Sequence, residues 1–539
     1  MFPSYSLLAS MALPLLSVAE PVRIPSSSRD LDRRGVPAGV ANVTKIISPG
    51  NATLWYKEPG KRMITCLVPQ LMLAGKNDPT NSPITLWLNG GPGGDSISGL
   101  FGGTGPCEFD PDGMNTTVNP YSYSEYSNML YLSQPLGVGF SYEYTAEGSL
   151  DFHGELHNAT GDPASGRFGF ASQSRYDTSY SSAVAAWEAM QVLLYDYATL
   201  DPEPKNTTFN LWTVSYGGQY GPIFFDYFRE QSDLIRNGIK SGTAMTMGVL
   251  GIGNGMIDAG IQYRYYPRFA MENSYGIEMI NNDTFIALQK SLFSSGPDGC
   301  LAQIERCAEA DRSTPYGIHI CGEAQYGCMI TVLAPPVLES SRSAYDIRRL
   351  DLDFDNYPPG RDPLVEYLNI PEIQQAIGVN INYTGQMSDA VYTAFDMRGD
   401  EMYPEAKQEL ESLLDHGVRV VLFHGDADYI CNWFGGEAVS LALEHDGSKG
   451  FCDAGYANFT VDGKIYGEVR EHGDLAFLRI YKSGHAVEVY QPKAAQELFR
   501  RALAGLVLDD GSQALTSNYS TKGSKYTKGY PRNHSSGEE

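Results

Sequence analysis

The sequence predicts an α/β fold: a mostly parallel central sheet flanked by helices, with a helical or irregular insertion laid over one end. Short runs at 84–88, 129–132, 209–214, 249–252, 418–423 and 477–481 are bounded by turn residues, and several are apolar at nearly every position. Strands that alternate apolar and polar have one wet face, whereas continuously apolar runs belong to strands covered by helices on both faces. The stretch 178–194, SYSSAVAAWEAMQVLL in its body, has helical spacing and lies between two such runs. Strand and helix in alternation mark the α/β class. From 258 to 400 the alternation lapses into Pro, Gly, four clustered cysteines and helix-like pieces such as 371–377, which reads as the insertion.

Taken in order, residues 1–19 hold an apolar run too short to span a bilayer and end in Ser17-Val18-Ala19, a small-x-small cleavage pattern. That is the plan of a signal peptide, although its start lacks a basic residue. Residues 20–45 are polar, fit a propeptide, and carry Arg33-Arg34, either a dibasic processing site or two solvated charges. The first part of the core is expected at 46–257, the insertion or cap at 258–400 and the second part of the core at 401–508. The remainder, 509–539, is polar and poor in large aliphatics, and is expected to be disordered.

Of 539 residues, 42% are apolar and 12% aromatic, including 35 Tyr, ample for a core and for aromatic-lined pockets. Lys and Arg total 39 against 64 Asp and Glu, a net charge of −25. Such a field repels phosphate backbones and anionic lipid, so nucleic acid is not expected as a partner. No uninterrupted apolar segment of the ~20 residues a membrane span needs is present elsewhere. The expected destination is secretion, or a vacuolar or lysosome-like compartment reached by the same route. Sequons for N-glycans at Asn42, Asn51, Asn115, Asn158, Asn206, Asn282, Asn382, Asn458, Asn518 and Asn533 fit that route.

Eight cysteines fit a secreted protein with a few staples. For Cys300, Cys307, Cys321 and Cys328 a nested pairing is expected, 300 with 328 and 307 with 321. A zinc knuckle is the rival, disfavoured by the oxidising route and by the lack of a Cys-x-x-Cys spacing.

The chemistry concentrates at Phe209-Asn-Leu-Trp-Thr-Val-Ser215-Tyr-Gly-Gly218, an apolar strand running into a serine, small residues and a helix. This is the plan of a nucleophile elbow, in which a strained turn lifts the hydroxyl above the sheet. Thr213 stands where a Gly is usual. A serine alcohol needs an imidazole to take its proton, and the imidazole needs a carboxylate to hold its tautomer. Asp428, after the run at 418–423, and His485, after 477–481, stand at strand ends in the order Ser, acid, His of an α/β-hydrolase fold. The glycine-rich Trp87-Leu-Asn-Gly-Gly-Pro-Gly-Gly94 follows another strand and offers backbone donors to an oxyanion. The two donors are assigned to the amides of Gly91 and Tyr216. This chemistry needs no cofactor and no metal.

WLNGGPG, the NPYSYSEYSNMLYLSQPLGVGFSY run from Asn119, SYGGQY, GIGNGMID, GDADYICNW and GHAVEVYQP together resemble the serine carboxypeptidase family, in that family's order. The resemblance implies a serine-type carboxypeptidase that releases C-terminal residues from peptides or proteins through an acyl-enzyme on Ser215. It selects Asp428 over Asp426 as the acid, assigns Trp87, Asn89 and Gly90 to substrate binding, and makes Cys431 a free thiol in the pocket wall. It also implies two glutamates that share a proton and read the substrate's free carboxylate. Here those places hold Val214 and Gly103, and Gly94 and Asp95 replace a Cys-Ser pair, removing one disulfide. Ala486 and Glu488, after the histidine, alter the leaving-residue pocket as well. Without the glutamates, hydrolysis is expected to depend weakly on acid pH. An acyltransferase or esterase on the same scaffold is the alternative.

Overall fold

A computed structural model describes residues 43–47, 53–57, 72–73, 78–109, 116–150, 156–157, 165–196, 205–350, 362–377 and 379–528. The signal-peptide and propeptide readings at 1–19 and 20–45, apart from the strand that opens at Val43, and Cys66, lie outside these residues. The central sheet has nine strands: β1 (Met72–Leu73), β2 (Ile84–Leu88), β3 (Asn128–Tyr131), β4 (Thr208–Val214), β5 (Thr246–Gly253), β6 (Arg419–Gly425), β7 (Ala457–Val461), β8 (Lys464–His472) and β9 (Leu475–Ile480). Their spatial order is β7-β8-β9-β6-β5-β4-β2-β3-β1. The block β3-β2-β4-β5-β6-β9 is parallel throughout, and β1, β7 and β8 join it antiparallel at the two edges. This is the expected α/β fold.

The unbroken apolar runs have a simple cause. Successive side chains of a strand point to opposite faces, and here each face has its own core. Ile84, Leu86 and Leu88 pack on one side with α1 (Ser179–Asp196) and α2 (Gly217–Arg236). Trp87, Trp212, Val421 and Phe423 pack on the other, where Phe499 of a late helix, Pro492–Leu503, meets Trp212 edge-on with ring centroids 5.1 Å apart. Truncating a ring such as Trp212 to Ala costs about 3–5 kcal/mol in a packed interior.

Between β5 and β6 the chain is helical. Two of its helices, α3 (Cys300–Glu309) and α4 (Pro315–Cys328), are stapled by Cys300–Cys328 and Cys307–Cys321, the nested pairing rather than a zinc knuckle. Cys107 is also disulfide-bonded, while Cys431 and Cys452 are free thiols.

The expectation of a disordered tail fails for 509–528. Strand β8 buries Glu468, Arg470 and Glu471, and β9 buries Arg479. Buried charge demands partners, and the polar tail supplies them from its backbone. Arg470 donates to the Lys525 carbonyl at 2.7 Å, Arg479 to that of Lys528 at 2.6 Å, and the Thr521 amide donates to the Glu471 carbonyl at 3.0 Å. Low hydrophobicity removes the apolar reason to fold, but not the polar one.

Candidate active site

The four loops that the sequence singles out emerge from the C-terminal ends of β2, β4, β6 and β9, the end where parallel α/β sheets open a crevice. Ser215 sits between β4 and α2 with φ of +67°, a left-handed backbone that L-residues adopt at a cost. Neighbours hold it there. Its amide donates to the Gly253 carbonyl at 2.9 Å, and its carbonyl accepts from the amides of Gly218 and Met256 at 2.9 and 3.1 Å.

His485 Nδ1 lies 2.8 Å from Asp428 Oδ2, and the imidazole is braced by the ring of Tyr345 at 5.1 Å, whose carbonyl accepts the His485 amide. Asp428 is fully buried. Its Oδ2 also accepts from Asn254 Nδ2 at 2.8 Å and from the Cys431 amide at 3.2 Å, which fixes the carboxylate's orientation toward the imidazole. His485 Nε2 is buried without a hydrogen-bond partner among the described residues, and His485 and Ser215 line the same cavity. Asp426, the other candidate acid, points elsewhere: it accepts from Tyr275 Oη at 2.5 Å and faces Arg479 at 3.5 Å. Asp428, Cys431 and His485 place oxygen, sulfur and nitrogen atoms within 4.8 Å of one another. The carboxylate oxygen is already shared three ways, and burial beside that charge keeps the thiol protonated, so the set reads as a hydrogen-bonded cluster rather than a ligand set.

The glycine-rich loop after β2 presses against the elbow. A Cβ on Gly90 would lie 2.3 Å from the Tyr216 nitrogen and 2.7 Å from Ser215 Cβ, so no side chain fits. Gly91 has φ of +116°, open only to glycine without strain. The amides of Gly91 and Tyr216 have no acceptor among the described residues. Where the resemblance implies a disulfide, this chain uses backbone: Asp95 N donates to the Gln386 carbonyl at 2.8 Å and Ser388 N to that of Gly93 at 2.9 Å. The loop is thereby tied to the insertion.

A cavity of about 390 Å³ opens over these groups, lined by Asn89, Gly90, Gly91, Val214, Ser215, Cys431 and His485 among others. Trp87 is not in its wall. It lies beneath, donating from Nε1 to Asn89 Oδ1 at 2.6 Å, while Asn89 Nδ2 donates to Ser98 Oγ at 2.6 Å. Tyr216, Ala486 and Glu488 add to the wall, and Tyr263, Tyr266, Tyr345 and Glu401, to which the sequence gives no role, complete much of the rest. The hydroxyl of Tyr216 is anchored to Asp400 at 2.9 Å, a carboxylate that also accepts from Ser179 and pairs with Arg312. Burial, and then Asp396, push Glu401 up to about 7; burial pushes Asp396 to about 6 and Glu488 to about 7. His424, under the acid loop, is held down near 4 by burial and stays neutral.

Residues 71–505 match the family described as serine carboxypeptidase. Carboxypeptidase S1 homolog B of Arthroderma otae is 36% identical over 79% of this chain and 68% of its own length. Carboxypeptidase S1 of Penicillium janthinellum is 31% identical over 79% of this chain and 90% of its own. Among solved structures, KEX1(delta)p, a prohormone-processing carboxypeptidase from Saccharomyces cerevisiae, matches with a TM-score of 0.62 at 22% identity, covering 83% of this chain and 88% of that one. At that identity the likeness speaks for the fold.

Proposed function

The chain belongs to the serine carboxypeptidase family, and from that premise we propose that it releases C-terminal residues from peptides through an acyl-enzyme on Ser215. The observation that carries the reading is the convergence of a strained Ser215, the Asp428–His485 pair at 2.8 Å and two unpaired amides on one cavity. In the first step His485 Nε2 takes the Ser215 proton as Oγ attacks the scissile carbonyl, and Asp428 stabilises the imidazolium that forms. The amides of Gly91 and Tyr216 receive the oxyanion, a contribution of about 3–4 kcal/mol per donor to the barrier in comparable sites. His485 then protonates the leaving amine. A water, deprotonated by the same imidazole, releases the peptide and restores the serine.

In this reading 46–257 and 401–508 form the catalytic core and 258–400 the cap that walls the cavity. Asn89 and Gly90 bind substrate directly, Trp87 acts by fixing the Asn89 amide, and Cys431 packs as a protonated thiol in the wall. Export through residues 1–19 and N-glycans at the sequons belong to the same proposal, which the small-x-small site and the sequons support. No helix among the described residues is long and apolar enough to cross a membrane.

The test is hydrolysis of N-blocked dipeptides beside their C-terminal amides and simple esters. Preference for the free acid is expected. Ester cleavage with blocked dipeptides left intact, or transfer to an added alcohol at the expense of hydrolysis, contradicts it.

A further inference from the structure

We propose that Glu488 receives the C-terminal carboxylate of the substrate, from the opposite side of the space left by Val214 and Gly103. This rests on the carboxypeptidase reading and names the group that reads the end of the peptide.

The geometry is complementary. Position 103 carries no side chain, and a Cβ built there would meet the Glu488 carbonyl oxygen at 3.2 Å and its Cγ at 3.4 Å. The stem of Glu488 therefore fills the room beside Gly103. Its side chain is turned inward, 6% exposed, and lines the same cavity as Ser215, Asn89 and Gly90. A glutamate at 103 and one at 488 would compete for this volume; the chain has one of them.

The chemistry agrees. Burial acts on the Glu488 carboxyl more than its own amide or His485 does, and among the described residues no arginine or lysine acts on it. The titratable groups that act on it are His485, on its own segment, and Tyr123, packed beneath. Gly103, which packs against it, is uncharged, as are Asn89, Gly90 and Val214 of the same cavity wall, whose other acid is the buried Glu401. A buried carboxyl without a cation keeps its proton, here up to about pH 7. A protonated carboxyl is a donor, which is what an incoming carboxylate requires. Asn89 completes the arrangement: Trp87 occupies its Oδ1, so the end it can offer a ligand is Nδ2, which keeps one hydrogen beyond the one given to Ser98.

An O–H···O⁻ bond then forms between Glu488 and the substrate while Glu488 is protonated, and is lost when it ionises. KM for free-acid substrates is thus expected to be flat in mild acid and to rise about tenfold per pH unit above about pH 7. C-terminal amides are not repelled by ionised Glu488, so their KM does not follow this curve.

The experiment measures KM from pH 5 to 8.5 for an N-blocked dipeptide and its C-terminal amide, in wild type, Glu488→Gln and Glu488→Ala. Fluorophosphonate labelling of Ser215 reports folding in each. The Gln variant donates at every pH, so its free-acid KM is expected to be flat across the range. The Ala variant is expected to raise that KM about 10-fold or more at pH 5. A Gln variant whose KM follows the wild-type curve overturns the assignment. So does a wild-type preference for Lys or Arg as the last residue that vanishes in Glu488→Gln, since the carboxylate would then read a side chain. A wild type that hydrolyses free acid and amide alike overturns both this inference and the exopeptidase reading, whereas free-acid preference with no Glu488 effect leaves the latter standing.

Discussion

Gly90→Ala probes the contact between the oxyanion loop and the nucleophile elbow with one carbon. The added Cβ would meet the Tyr216 nitrogen at 2.3 Å, the Val214 carbonyl oxygen at 2.6 Å and Ser215 Cβ at 2.7 Å. Two of the three are backbone atoms of the elbow, so neither a rotamer nor a flexible side chain can give way. Restoring an ordinary contact requires the loop and the elbow to separate by about 1 Å, which moves the Gly91 amide away from the Tyr216 amide with which it is proposed to share the oxyanion. A misplacement of that size costs on the order of 10²-fold in rate, and the overpacking costs about 1–3 kcal/mol of stability. The assay is kcat/KM on an N-blocked dipeptide, with thermal unfolding alongside. The expected result is a folded protein with a lower Tm and about 1% of wild-type activity. Activity within about threefold of wild type would show that the two amides do not act as a rigid pair.

Asp428→Asn is expected to lower kcat about 10⁴-fold with little change in KM, because the amide favours the wrong imidazole tautomer; steady-state kinetics decide it, and a loss confined to KM counts against the role. Truncation after Asp510 removes the carbonyls that satisfy Arg470 and Arg479, and a fall in Tm of several degrees is expected; an unchanged melt would mean that water replaces the tail at no cost. Burial raises Glu401 and Glu488 to about 7 and Asp396 to about 6. Carboxyls raised on folding contribute stability that is present below their unfolded values, near 4, and lost as pH rises through 6 to 7. Tm is therefore expected to rise as pH falls from 8 toward 5, opposed in part by His424, whose depressed value withdraws stability below about 6.5. Glu401→Gln should flatten this profile, and a Tm that climbs steadily from pH 5 to 8 would contradict the carboxyl account.

What the sequence disclosed follows from which interactions leave local traces. The strands at 84–88 and 418–423 announce themselves because both faces are covered, so apolarity is continuous. Ser215, Asp428, His485 and the glycine loop could be nominated because strand-end chemistry and glycine needs are written within a few residues of one another. Strand β8, KIYGEVREH, went unread because its buried charges look like a solvated segment until Arg419 and the tail are brought to them. The tail reads as disordered for the same reason in reverse, since its polarity hides the buried charges it serves. Asn254, which donates to Asp428 and has φ of +40°, stands within the GIGNGMID motif, so its position leaves a trace in the sequence although its partner does not. Tyr345 and Glu401 come from the insertion, whose long-range placement no periodicity encodes. Glu488 was visible as a departure from the family, but its neighbour Gly103 lies 385 positions away in the chain, and their complementarity exists only in three dimensions.

The central claim, that Ser215 is the nucleophile of a carboxypeptidase, is tested most directly by titrating the protein with a fluorophosphonate and following dipeptide hydrolysis as peptide mapping locates the adduct. The account requires a single adduct on Ser215, with activity falling in proportion to its occupancy and no labelling of Ser215→Ala. Hydrolysis that survives complete modification of Ser215, or an adduct on another residue that accounts for the lost activity, would contradict it.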